Sequence, residues 1–178
     1  QKKGEIMPKV TVTDAKGLVQ EAGAGITFKD GFNDGGVKIL SAGASNTLTA
    51  ADSGKTIVFG VAAATLVTLP APKLGMNFTF VTSILATGDH EIQTATNAHG
   101  YLGGVAVVST TAAKADAFSA NANGADDFIT MNGGTTGGGA GSAVRIVALK
   151  DSSQAGCWGV SGVLLGVGST MATPFATS

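Results

Sequence analysis

The chain has 178 residues, 27 of them glycine, with 11 basic and 12 acidic side chains and a formal charge of −1. Charged residues make up 13%, against about 25% in an ordinary globular domain. That excludes a basic surface for wrapping nucleic acid, and a mean hydropathy of +0.30 with 44% hydrophobic residues excludes classical disorder.

The N-terminus opens without the apolar stretch of a signal peptide. Lys3-Gly4-Glu5-Ile6-Met7 is what a bacterial ribosome-binding site spells when translated in frame, so Met7 is a candidate natural start. Residues 9–13, Lys-Val-Thr-Val-Thr, alternate as a half-buried strand should. Asp30-Gly31 and Asn33-Asp34-Gly35-Gly36 form a turn cluster ahead of a strand at residues 37–40. Residues 47–53 fit one short helical turn capped by Thr49, and Asp52-Ser53-Gly54 turns the chain into a strand at residues 56–59. Residues 66–69 make the next strand, and Pro70 and Pro72 end it because proline cannot donate to a ladder.

Residues 77–81 and 91–94 follow as strands, with Gly88-Asp89 read as a hairpin tip between them. Residues 105–108 are strand, and alanine-rich residues 112–120 are the best candidate for a short helix. Strands at residues 128–131, 144–149 and 158–165 complete the set, with a hairpin tip at Asp151-Ser152-Ser153. Residues 112–127 and 132–142 read as long loops, the second a low-complexity run that an assembly partner would order.

Strand candidates at about 8–12-residue spacing predict an all-β fold, a β-sandwich or jelly-roll-like barrel with long Gly/Ala-rich loops and at most one short helix. Residues 1–45 read as an extended N-terminal arm or small extra sheet, and residues 46–178 as the main β domain. Phe28, Phe59, Phe78, Phe80, Phe128, Ile146 and Trp158 are the core candidates, with the Trp158 indole N–H expected to meet a carbonyl. No apolar run reaches the ~18 residues of a membrane span; residues 160–167 come nearest and Gly162 and Gly166 interrupt them.

The chemistry-bearing residues are few. The run from Gly133 to Gly141 ends in Ser142-Ala143 without the lysine of a phosphate loop, and it leads into a strand. Asp30 to Gly35 mimics a calcium loop, but Phe32 breaks the alternation of oxygen ligands, so a turn is the better reading. Asp89-His90-Glu91 and His99 bring imidazole and carboxylates near one another in sequence. Alternation sends His90 to one face and its neighbours to the other, which suits a solvated hairpin better than a metal site. Cys157 cannot form an internal disulfide, and beside Trp158 it reads as a small buried hydrophobe. Asn77-Phe78-Thr79 fits a glycosylation sequon but sits in mid-strand. No catalytic, cofactor or metal residues are predicted. Weakly charged, small side chains in a chain of positive hydropathy point instead to surfaces buried in an assembly.

Leu48-Thr49-Ala50-Ala51-Asp52-Ser53-Gly54-Lys55-Thr56, then Val67-Thr68-Leu69-Pro70-Ala71-Pro72, Phe78-Thr79-Phe80, Gly88-Asp89-His90-Glu91-Ile92, residues 141–147 and residues 157–162 occur in an order that resembles an all-β module of tailed-bacteriophage virion proteins. That module is found in head decoration proteins, head fibres and tail-fibre heads. The resemblance covers about residues 46–165. It implies a non-enzymatic structural protein, often a homotrimer, on the outer surface of the virion. The chain lacks the heptads or shaft repeats of a complete fibre. The expected role is therefore a capsid decoration, or cement, protein bound to the major capsid protein without contacting nucleic acid or membrane. Met7, Val10 and Val12 are the candidate capsid contacts, because an alternating terminal strand can add to a neighbour's sheet edge. The alternatives are a head-fibre or tail-fibre knob for a host receptor or glycan, using residues 112–127 and 132–142, and a secreted carbohydrate-binding module. The latter lacks a row of exposed aromatics.

Overall fold

The computed structural model describes residues 10–13, 17–20, 36–40, 45–121, 125–151 and 156–178. By its internal contacts the chain divides into two units, Gln1–Phe32 and Asn33–Ser178. In the first, β1 (Val10–Thr13) and β2 (Gly17–Gln20) pair antiparallel, with Val10 opposite Gln20 and Val12 opposite Leu18. The predicted strand is thus half of a two-stranded sheet. Met7 and Phe28 lie outside the described residues.

The second unit is all-β. Its seven-stranded sheet has the order β10-β9-β13-β12-β7-β5-β3, and its five-stranded sheet the order β14-β11-β8-β6-β4. In chain order the strands are β3 (Val37–Leu40), β4 (Ser45–Thr47), β5 (Thr56–Phe59), β6 (Thr65–Thr68), β7 (Asn77–Thr82), β8 (His90–Gln93), β9 (Tyr101–Ser109), β10 (Ala115–Ser119), β11 (Phe128–Met131), β12 (Ala143–Ala148), β13 (Trp158–Gly166) and β14 (Phe175–Ala176). The boundary between units falls at 32/33 rather than 45/46, because β3 ladders with β5 and β4 with β6.

From β3 to β8 the chain alternates between the sheets. Within each sheet the successive strands pair in parallel, β3 with β5 with β7 and β4 with β6 with β8. This is a three-turn coil with one strand of each turn in each sheet. The rest is built on it: β12 pairs antiparallel with β7, β13 with β12, and β11 with β8, while β9 runs parallel to β13. Gly88-Asp89 is therefore a crossover between sheets, not a hairpin tip. Asp151 does lie between the antiparallel strands β12 and β13.

Two 3-10 turns occur, Ala50–Asp52, within the turn expected over residues 47–53, and Asn97–His99, and no α-helix occurs among the described residues. The first has Thr49 at its N-cap. The alanine-rich helix candidate is the edge strand β10, paired with β9 from Ala115 opposite Val108 to Ser119 opposite Gly104. Alanine favours helix in isolation, but here no apolar stripe at helical spacing holds one, and the edge of β9 supplies a ladder instead.

The core lies between the sheets. Leu40, Ile57, Phe59, Phe78, Phe80, Ile146 and Trp158 enter from the seven-stranded sheet, and Val67, Ile92, Ile129 and Met131 from the five-stranded one. Phe59, Phe78, Phe80, Ile146 and Trp158 are buried as expected. Phe128 is not in the core. Ile129 opposes Ile92 of β8 and takes the inner face, so alternation leaves Phe128, opposite Gln93, half-buried on the outer side. Trp158 packs on Phe78 at 5.9 Å, but its Nε1 has no hydrogen-bond partner, so the expected carbonyl is absent.

Residues 132–142 need no partner to order them. Asn132 Oδ1 accepts from the Gly134 and Thr136 amides, Gly139 N–H donates to Leu165 O at 2.6 Å, and Ser142 Oγ accepts from Leu165 N–H at 2.9 Å. Glycines with positive φ at 133, 137, 138 and 141 let this segment lie against β13.

Candidate functional site

The titratable groups singled out by the sequence serve the fold. His90 is fully buried and stacks on Phe59 across the sheets at 4.6 Å and 9°. Its Nε2 lies 3.0 Å from Val61 O and 3.2 Å from Ala63 O, pinning the β5–β6 turn. This corrects the reading of a solvated hairpin: alternation holds, but the face His90 takes is the core. Burial pushes the His90 pKa below its ordinary value, against the pull of the two carbonyls and Asp89.

Asp52, in the first 3-10 turn, accepts from the Thr49 amide at 2.9 Å and the Thr49 hydroxyl at 3.1 Å. It also pairs with Lys38 at 3.2 Å and Lys55 at 3.3 Å. Burial alone would raise its carboxyl, but these donors outweigh it and hold the pKa at about 2. The Leu48-to-Thr56 segment is thus an electrostatic clasp joining β3 to the turn before β5. Tyr101 is buried, donates to Ile92 O at 3.0 Å, and has its pKa raised by burial and by Asp127. Cys157 is buried, with Sγ 3.6 Å from Asp151 O. No group of three His, Cys, Asp or Glu side chains converges among the described residues.

The unusual surface is the outer face of the seven-stranded sheet. This sheet is mixed, with β3-β5-β7 and β9-β13 parallel, and a sheet face that meets water normally carries polar side chains. Here the registers align Ile39, Val58, Val81, Ala143, Val163, Ala106 and Ala117 into one apolar row across all seven strands. Ile39 is 71% exposed and Val163 48%. The next row reads Val37, Thr56, Thr79, Arg145, Ser161, Gly104 and Ser119. Arg145 is the only charged side chain that the seven strands turn outward.

At the β10 end the face sinks into an open trough of about 810 Å³ between Phe118, Ser119, Gly103, Gly104 and Ser161. A smaller hollow of about 320 Å³ lies next to it, between Arg145, Leu149 and Gly159. The depth comes from glycine. A Cβ on Gly104 would stand 2.5 Å from Phe118 O, and one on Gly103, at φ +105°, would stand 2.3 Å from Val160 O. Close backbone approach fixes these two positions and leaves the trough bare of side chains where they lie.

Of the predicted contact residues, Val10 and Val12 sit on β1 in the smaller unit, and Met7 lies outside the described residues. The sequence reading missed the outer apolar row. Each strand contributes a single residue to it, and only the register shows that the seven align. Comparison with family models finds no match to this chain, and comparison with curated proteins finds none either.

Proposed function

We propose that this chain is a non-enzymatic capsid decoration protein of a tailed-bacteriophage virion. In this reading it binds the outer surface of the head and bridges neighbouring major capsid proteins. The observation that carries the reading is the outer face of the seven-stranded sheet: seven strands wide, apolar along one row, with one charge. Contiguous apolar surface of this kind marks an interaction site on a protein that works in an assembly. The resemblance in residues 46–165 names the assembly. The order of the side chains adds support, since Asp52, His90 and Tyr101 are committed to turns and core. Many copies, each burying a modest area, would hold the lattice by avidity. The β1 strand, with Val10 and Val12, is a second contact that could add to a capsid strand.

The test is to mix the purified chain with undecorated, expanded capsids of the phage that encodes it and image them by cryo-electron microscopy. Density at fixed lattice positions, with the seven-stranded sheet toward the shell, is expected. Bare capsids overturn the reading. A chain starting at residue 14 that still decorates at full occupancy removes β1 from the contact. The trough at Gly103 and Ser161 favours a second reading, a fibre knob that seats a host glycan. Its test is glycan-array and host-cell binding, with Ser161→Trp filling the trough.

A further inference from the structure

Natural sheets protect their edges with charge, proline, bulges or short strands, because an open ladder invites another chain. The two sheets of the larger unit end in four edge strands, and three of them are protected. β14 has two residues. β4 has three, all polar. β10 carries exposed Asp116 and follows Lys114.

β3 differs. Thr56 N–H donates to Gly36 O at 2.9 Å. In a parallel ladder, Gly36 and Lys38 therefore turn their backbone groups to β5, while Val37 and Ile39 turn theirs away. The same two residues carry the exposed side chains, at 64% and 71%. The strand's one lysine does not guard the edge, because Lys38 is drawn inward onto Asp52 at 3.2 Å.

We propose that β3 pairs with β3 of a second copy of this chain, antiparallel about a two-fold axis, joining two seven-stranded sheets edge to edge. A second copy fits this edge for three reasons. With the axis at Lys38, Val37 of each copy faces Ile39 of the other, and both exchange their outward N–H and C=O groups, so a closed, self-complementary pair results. On the outer face the exposed Ile39 of each copy meets the exposed Val37 of the other, so two apolar pairs lie side by side at the join. The two Lys38 side chains that come opposite each other are each held inward on their own Asp52, which Lys55 shares, so the repulsion between them is reduced. The inference is independent of the virion reading: it concerns the chain in solution and holds whether or not the chain binds a capsid.

The test is sedimentation velocity of the full chain over a concentration series, with site-resolved amide exchange. A monomer–dimer equilibrium is expected, with the Val37 and Ile39 amides protected at high concentration and exchanging freely on dilution. Replacing Val37 and Ile39 together by proline removes the outward N–H groups and the two exposed side chains, while the groups of Gly36 and Lys38 that face β5 keep their donors and acceptors. That variant should stay monomeric with an unchanged melting temperature. If it fails to fold, Ile39→Lys, at an already exposed position, should abolish the dimer by charge repulsion across the edge. A wild-type chain that is monomeric throughout overturns the proposal. So does a dimer that survives these substitutions, or an oligomer in which the Val37 and Ile39 amides exchange freely.

Discussion

Asp52 ties together residues that are far apart in the sequence. Its two oxygens meet Lys38 from β3, Lys55 from the approach to β5, and the Thr49 amide. Its folded pKa of about 2 lies below the ordinary 3.8, so the unfolded chain takes up the proton first. The clasp is therefore complete above about pH 4 and is lost as the pH falls toward 2, a loss of about 2 kcal/mol. Asp52→Asn should remove a similar amount at pH 7 and flatten the acid limb of a urea-denaturation series. His90 acts in a higher window. It is held neutral in the core with its pKa lowered, so the unfolded state binds a proton first as the pH drops below about 6.5, and stability falls from there. Thermal melts from pH 8 to 3 should decline in two stages. His90→Gln should abolish the upper stage while lowering the melting temperature at pH 8, since the turn carbonyls of Val61 and Ala63 lose their shared donor.

At the scale of elements, residues 132–142 show how a low-complexity run can be structural. Gly137 has φ +92°, and a Cβ there would lie 2.4 Å from the Leu164 Cβ on β13. Gly75 has a similar φ of +88° with nothing within 4 Å. Gly75→Ala carries only the conformational strain, about 1 kcal/mol. Gly137→Ala adds overpacking of a buried contact and should be destabilising by about 3 kcal/mol or more. Chemical denaturation of the two variants separates strain from clash. The elements themselves were largely legible. Alternation located β5, β7, β11 and β12 to within a residue or two, and Asp52-Ser53-Gly54 and Pro70 marked their turns correctly. Strand pairing was not legible. Period-two patterning says which residues share a face, but parallel partners 19 to 25 residues apart leave no local signal. β10 and the three-residue β4 have weak strand composition and exist because a neighbouring edge holds them. Phe128 failed as a core residue for a related reason. In Phe-Ile-Thr-Met either phase of the alternation buries an apolar side chain, and only the pairing of Ile129 with Ile92 decides between them.

At the scale of the molecule, the question is whether the outer apolar row stabilises the monomer or serves a partner. A residue that serves the fold is buried in it; Val163 is 48% exposed on the outer face, opposite Ala143 and Ala106. Replacing it by lysine should therefore change the unfolding free energy by no more than about 0.5 kcal/mol, as at an ordinary surface position. If a capsid covers the row, the same substitution places a charge in a desolvated contact and removes a valine worth about 1.5 kcal/mol of burial. Affinity per copy should then fall about tenfold or more, and decoration measured on capsids at limiting protein should fall with it. Arg145→Ala, in the neighbouring polar row, is the matched control: it removes charge from the same face without placing one in the apolar row. The proposed capsid contact predicts that Val163→Lys loses occupancy at an unchanged melting temperature. A fall in both together would assign the row to the fold, and full occupancy with the lysine in place would move the capsid contact off this face, leaving the β1 strand to make it.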